Sequence, residues 1–136
     1  LGGNSAEAAI GICYEIAYPH LVRSAAKEPM ALVTISNDTW FGDSIGPVQH
    51  LQIAQMRALE NGRSLLRVTN NGITAAIDHA GEITDVLPRN QQGVLQTELV
   101  LVRGDTPYHR FGYGMLGAIL IFVSVLNIAA SQWRSQ

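Results

Sequence analysis

Ala8-Ala9-Ile10-Gly11-Ile12-Cys13-Tyr14-Glu15 is a short apolar run that reaches a thiol and then gives way to polar and aromatic residues. A run of this length, rich in branched side chains and carrying a glycine, reads as a buried strand. Residues 16–27 read as a helix despite Pro19, and Met30-Ala31-Leu32-Val33-Thr34-Ile35 as a second buried strand. The three pieces form a strand, helix, strand unit, the signature of an α/β domain. Its first strand ends on Cys13.

Working outward, Pro47 suits the first turn of a helix that ends before Gly62, because proline has no N–H to lose there and glycine accepts the left-handed backbone that closes a helix. Val48, Leu51, Ala54 and Ala58 fall on one face of it at helical spacing and are expected in the core. Residues 65–69 and 73–78 flank Asn70-Asn71-Gly72, a hairpin signal, since Asn and Gly tolerate positive φ. A strand over residues 82–87 follows Ala80-Gly81, and a last strand is expected over residues 94–100. No internal repeat or low-complexity linker interrupts the chain.

Residues 111–133 hold no Asp, Glu, Lys, Arg or His over 23 positions. At 1.5 Å per residue that is roughly 34 Å, against about 30 Å of bilayer hydrocarbon. Tyr113 and Trp133 stand near its ends, where amphipathic rings favour the headgroup layer. We read residues 111–133 as one transmembrane helix, residues 1–110 as the domain before it and residues 134–136 as a short tail. A core helix of this length without a charged face is the competing reading. Arg103 and Arg110 before the run and Arg134 after it do not fix its orientation.

With 47% apolar and 15% charged residues, the chain is richer in apolar groups than a soluble domain needs. A net charge of -2 offers no field to gather a polyanion, which excludes nucleic acid as a partner. One cysteine forms no internal disulfide. His20, His50, His79 and His109 are scattered without metal-ligand spacing, so no metal is expected. The chain starts at Leu1 without a signal-peptide pattern, which we take as the start of the C-terminal portion of a longer protein.

Cys13 therefore has to be judged by its neighbours. A strand that ends on it and turns into a helix would expose the sulfur at an elbow, where N–H groups of the helix start can favour a thiolate and receive an oxyanion. Glu15 would set a carboxylate beside it. A thiolate attacks a carbonyl, a base takes its proton, and donors hold the charge of the tetrahedral intermediate. The same local pattern also fits an inert, buried cysteine acting as a small hydrophobe.

Four separated blocks weigh against the inert reading. Gly11-Ile12-Cys13-Tyr14-Glu15, Arg57-Ala58-Leu59-Glu60-Asn61, Asn70-Asn71-Gly72 and Ile77-Asp78-His79-Ala80-Gly81, in this order, resemble the C-terminal half of the nitrilase superfamily. Ile35-Ser36-Asn37-Asp38-Thr39-Trp40-Phe41-Gly42, Ser44-Ile45-Gly46-Pro47 and the terminal apolar run bring the chain nearest to the membrane-bound family of apolipoprotein N-acyltransferases. The resemblance implies the C-terminal half of an α-β-β-α sandwich followed by a transmembrane helix. It makes Cys13 the nucleophile, Tyr14 the residue whose N–H adjoins the oxyanion, and Glu15 an active-site carboxylate.

The family's remaining triad members, a Glu and a Lys, precede the Cys. Here Glu7 is too close on the same strand, and Lys27, the only lysine, comes after Cys13. The chain alone is expected to be inactive. His79, where many nitrilases have proline, is a further departure, bearing on a turn. The implied reaction moves a fatty acyl group from a phospholipid, through a Cys13 thioester, to the N-terminal amine of a diacylglyceryl-cysteine lipoprotein. No cofactor is implied; the setting is the bacterial inner membrane, with the catalytic domain periplasmic. An amidohydrolase using water, or an inactive membrane-tethered fragment, are the alternatives. Asn37, Asp38, Trp40 and Phe41 leave their strand at the Cys13 end if the two strands are parallel neighbours, so they are candidate substrate-binding residues. Covering the core and capping a turn are the structural roles open to them. Arg57 and Glu60 read as a structural ion pair.

Overall fold

The computed structural model describes residues 7–26 and 30–134, with the side chains of residues 131 and 134 left out. Five strands, β1 (Glu7–Ile12), β2 (Met30–Asn37), β3 (Leu65–Asn70), β4 (Thr74–Ile77) and β5 (Ile83–Leu87), form one sheet in chain order. The pairs β1–β2 and β2–β3 are parallel, and β3–β4 and β4–β5 antiparallel. Parallel neighbours need a crossover, and α1 (Pro19–Ala25) and α2 (Gly46–Asn61) supply the two required.

Alternation along the strands splits the sheet into two faces. Leu32, Leu65, Ala75 and Ile77 point to the helices and close the core with Ile16, Val22, Ala26, Leu51, Ala54 and Ala58. On the other face Ile10, Ile12, Ile35 and Val68 are 62%, 66%, 51% and 40% exposed. Ile12, Ile35 and Val68 are register partners across three strands, so this apolar surface is continuous.

Several expectations change in detail. The helix expected over residues 16–27 is a 3-10 turn, Cys13–Ala17, followed by α1, with Pro19 at the first position. Proline cannot donate, and its ring meets the carbonyl four residues back, so one helix cannot run through it. Lys27 lies outside the described residues. In α2, Leu51, Ala54 and Ala58 are buried as expected, but Val48 is 41% exposed. The inward places of the first turns are taken instead by Pro47 and His50.

The strand expected over residues 94–100 is absent: the segment joins no ladder among the described residues. Its side chains alternate between exposed and half-buried, so the two-residue period reports a half-covered extended chain without pairing. Side chains tie it down, with Ser64 Oγ donating to the Val100 carbonyl at 2.7 Å and Thr97 Oγ1 to Asp85 at 2.8 Å. The hairpin stands, with Asn71 at φ +61°. Beyond it the turn carrying His79 is closed by Asp78, whose carboxylate accepts from the N–H groups of Ala80 and Glu82, both at 2.9 Å.

The uncharged run divides at Gly112, φ +57°, into the end of α3 (Pro107–Phe111) and α4 (Gly114–Arg134). Arg23 clamps α3 by donating to the carbonyls of His109 and Arg110 at 2.8 and 3.1 Å, and Thr106 Oγ1 donates to the Glu60 carbonyl. Among the described residues no helix is long and apolar enough to cross a membrane.

Candidate active site

The carboxyl ends of β1, β2 and β3 converge, the end of a parallel array at which α/β domains build their sites. Cys13 follows β1, Asp38 follows β2, and Asn70-Asn71-Gly72 closes β3. Cys13 has φ +53°, a left-handed backbone rare for a residue with a Cβ, and the chain leaves the sheet there. The strand-to-helix elbow expected at Cys13 is thus present, with a 3-10 turn as its helical arm. The thiol is half-buried.

Glu15 turns back on the elbow, its Oε2 accepting the Ile12 N–H at 2.7 Å, so this exposed carboxylate buttresses the turn that carries the sulfur. Tyr14 is 57% exposed, its ring edge-on to Tyr18 at 5.9 Å and 6.3 Å from that of His50. An apolar cleft of about 200 Å³ runs beside Glu15, lined by Gly11, Ile16, Leu21 and Val22 among others.

After β2 the chain makes a second 3-10 turn, Asp38–Phe41, capped by Asn37, whose Oδ1 accepts the Thr39 N–H at 3.2 Å. Trp40 is 88% exposed. Phe41 is half-buried with its ring 5.8 Å from that of His50. Asp38 differs from these three, for its side chain is fully buried and points into the domain. Asn37, Trp40 and Phe41 therefore stand at the rim, while Asp38 lies under it.

Beneath the rim is a polar cluster that the sequence reading did not single out. Ser36 Oγ donates to Asp38 Oδ1 at 2.6 Å, His50 Nδ1 lies 3.0 Å from the same oxygen, and Arg67 Nη2 donates to Asp38 Oδ2 at 2.6 Å. None of the four is more than 5% exposed. Burial alone would raise the Asp38 carboxyl; the Ser36 hydroxyl, Arg67 and His50 outweigh it and hold the group below its ordinary range. Gly72 is required above it, since a Cβ there would come within 2.4 Å of Asp38 Oδ2. Arg67 carried a signal: it occupies the inward phase of an otherwise apolar strand, where an unpartnered charge is prohibitively costly.

Arg57 and Glu60 form an ion pair of 2.9 Å at the far end of α2, with exposures of 8% and 18%. Burial raises the Glu60 carboxyl against the pull of Arg57. Asn61 Nδ2 donates to the Arg57 carbonyl at 2.8 Å, and its Oδ1 lies 3.1 Å from His109 Nδ1. This second cluster joins α2 to α3. Among the described residues no group of three or more His, Cys, Asp or Glu could hold a metal ion.

A thiol on a left-handed elbow, at the carboxyl end of a mixed sheet whose helices cover one face, defines a nitrilase-like α/β domain. Known structures share the fold: a carbon-nitrogen hydrolase from Helicobacter pylori matches with a TM-score of 0.58 at 13% identity, over 65% of this chain and 39% of that one. An amidase of the nitrilase superfamily from Nesterenkonia matches with a TM-score of 0.55 at 20% identity, over 88% of this chain and 46% of that one. The chain belongs to the carbon-nitrogen hydrolase family, whose model covers residues 2–106.

Among curated proteins it is similar to the apolipoprotein N-acyltransferase of Pseudomonas paraeruginosa, 49% identical over 115 residues, 82% of this chain and 22% of that protein. The enzyme of the same name from Pseudomonas putida is 58% identical over 97 residues, 71% of this chain and 19% of its own length. That from Vibrio vulnificus is 46% identical over 126 residues, 92% of this chain and 24% of its own. The chain thus spans about a fifth to a quarter of the curated relatives it matches.

Proposed function

We propose that the chain is the C-terminal part of an N-acyltransferase that moves a fatty acyl group from a phospholipid to the N-terminal amine of a diacylglyceryl-cysteine lipoprotein. The observation that carries this reading is the left-handed Cys13 elbow at the end of β1, which holds the thiol half-buried in a chain whose relatives bear that name. The Cys13 thiolate attacks the ester carbonyl, the tetrahedral intermediate collapses with loss of the lysophospholipid, and the lipoprotein amine displaces the thiol to give an amide. Cys13 is the nucleophile, the Tyr14 N–H adjoins the oxyanion, and Glu15 holds the elbow. Asn37, Trp40 and Phe41 border the substrate, and Asp38 supports them from below.

The general-base Glu and the Lys of the triad belong to a preceding segment under this reading, so residues 1–136 bind no acyl group by themselves. The exposed apolar sheet face formed by Ile10, Ile12, Ile35 and Val68 supports a second sheet packed there, completing the α-β-β-α sandwich. Residues 111–133 are the membrane anchor. What supports this is the 23-residue run without charge, the 21-residue α4 that covers most of it and ends on Arg134, and the exposure of Ile121 and Phe122 at 67% and 64%. Both substrates have acyl chains in the bilayer, so an anchored enzyme meets them without drawing a chain through water. The setting is the bacterial inner membrane, with the domain on its periplasmic side.

Incubated with phospholipid, the longer polypeptide that this reading requires will hold a hydroxylamine-labile acyl group, and Cys13→Ser will remove that thioester. A thioester that persists in the variant refutes the assignment. Supplying a lipopeptide amine will consume the acyl group; loss to water at the same rate without it would instead mark an amidohydrolase.

A further inference from the structure

We propose that His50 is a positioning residue that couples the two halves of the site: its ring bridges Tyr14, the neighbour of Cys13, and Phe41 of the rim, so that the elbow and the rim keep one fixed spacing. The inference rests on the reading of Cys13 as the nucleophile and of Phe41 as a residue bordering the substrate, and it names what joins them.

Helix α2 carries the bridge. The two 3-10 turns, Cys13–Ala17 and Asp38–Phe41, both pack against it. Gly46 and His50 are four residues apart on α2 and so lie on one face, a turn from each other. A Cβ at Gly46 would collide with the Phe41 ring, so glycine there lets that ring lie against the backbone of the first turn. One turn on, the rings of Phe41 and His50 meet edge-on at 5.8 Å, and the His50 ring is 6.3 Å from that of Tyr14, tilted by 47°. Both spacings lie within the range of about 4.5–7 Å in which aromatic rings attract one another. Among the described residues Tyr14 and Phe41 make no ring contact with each other. The path between them runs through His50.

Asp38 keeps that ring from turning. An ionised carboxylate can only accept, so Nδ1 of His50 donates across the 3.0 Å to Asp38 Oδ1, which fixes the plane of the imidazole. Nε2 is buried and has no hydrogen-bond partner among the described residues, so Nδ1 alone orients the ring. Asp38 is gripped in turn by Ser36 of β2 and Arg67 of β3, each at 2.6 Å. The imidazole is therefore referred to the sheet as well as to its own helix. At 2% exposure it has little room to move away from either neighbour.

The coupling can be read without substrate. The chain has a single cysteine, so alkylation by iodoacetamide reads Cys13 alone. Its rate is to be measured on the full chain in detergent, for the native sequence, for Tyr14→Ala, for Phe41→Ala and for the two together, with urea unfolding of each as the check of folding. Independent residues change a rate by factors that multiply, and residues joined through a third do not. Each single variant will be alkylated several-fold faster as the half-buried thiol loosens, and the double variant will fall short of the product of the two factors by about threefold or more. The cycle is then repeated in His50→Phe, which keeps a ring and loses the bond to Asp38, and in His50→Asn, which keeps a donor for Asp38 and loses the ring. The coupling will survive in His50→Phe and vanish in His50→Asn; a residue that served only as the buried partner of Asp38 would give the opposite order. Factors that multiply in the native background, coupling that persists in His50→Asn, or coupling that is lost in His50→Phe each overturns the proposal. The native cycle leaves His50 in place, so it decides even where a His50 variant does not fold. A thioester on Cys13 in the longer polypeptide, with factors that multiply, would leave the acyltransferase reading standing and this inference fallen. Coupling through His50 without any thioester would do the reverse.

Discussion

At the scale of single residues, the site is governed by one buried carboxylate. Asp38 has its pKa held below the ordinary 3.8 by Ser36, Arg67 and His50, against the opposing effect of burial. A carboxyl depressed in the folded state contributes stability that is fully present above its unfolded pKa and is lost as pH falls through the folded one. Urea unfolding followed from pH 6 downward will show stability declining below about pH 4, and the Arg67→Met, Asp38→Leu chain will show a shallower decline. Equal slopes would mean that Asp38 gains nothing from its partners. Cys13, Tyr14 and Glu15 could be singled out as candidates because separated blocks along the chain carry a family resemblance, where their adjacent positions alone also fitted an inert cysteine. His50 and Arg67 were not, because the contacts that define them join residues 12 and 29 positions away from Asp38.

At the scale of elements, α2 shows both the reach and the limit of periodicity. Gly62, at φ +62°, ends the helix where glycine was expected to end it. The apolar stripe, however, is set by which inward places the neighbouring strands leave open, and His50 fills the place that hydrophobicity alone gives to Val48. Leu51→Ala should cost about 2–4 kcal/mol by leaving a cavity under the sheet. Val48→Ser, at an exposed position, should stay within about 0.5 kcal/mol. Chemical denaturation of the two variants checks both, and similar losses would show that Val48 is core after all. The segment over residues 94–100 makes the complementary point. Alternation reveals an extended chain, but only partners with free N–H and C=O groups make it a strand.

At the scale of the whole molecule, the domain buries one face of its sheet and leaves the other apolar and open. A second layer on that face, as in the sandwich proposed above, would remove it from water. Ile35→Lys separates the two situations. In residues 1–136 alone it should leave the urea midpoint nearly unchanged and reduce self-association. In the longer polypeptide it should lower stability by several kcal/mol, the cost of burying an unpaired charge. Matching effects in the two settings would remove the case for a covering sheet. This face was legible only in outline, since buried strands of parallel sheets are apolar on both sides and their sequence does not say what covers each.

The backbone at Cys13 bears on how such an elbow can be altered. A left-handed residue with a side chain carries a penalty on the order of 1–3 kcal/mol, and glycine is free of it. The substitution that would best relieve the fold at this position is therefore one that deletes the sulfur. If Cys13 is the nucleophile proposed above, tolerance and reactivity are opposed at a single α-carbon, and a gain in thermal robustness obtained there would come with loss of the proposed chemistry.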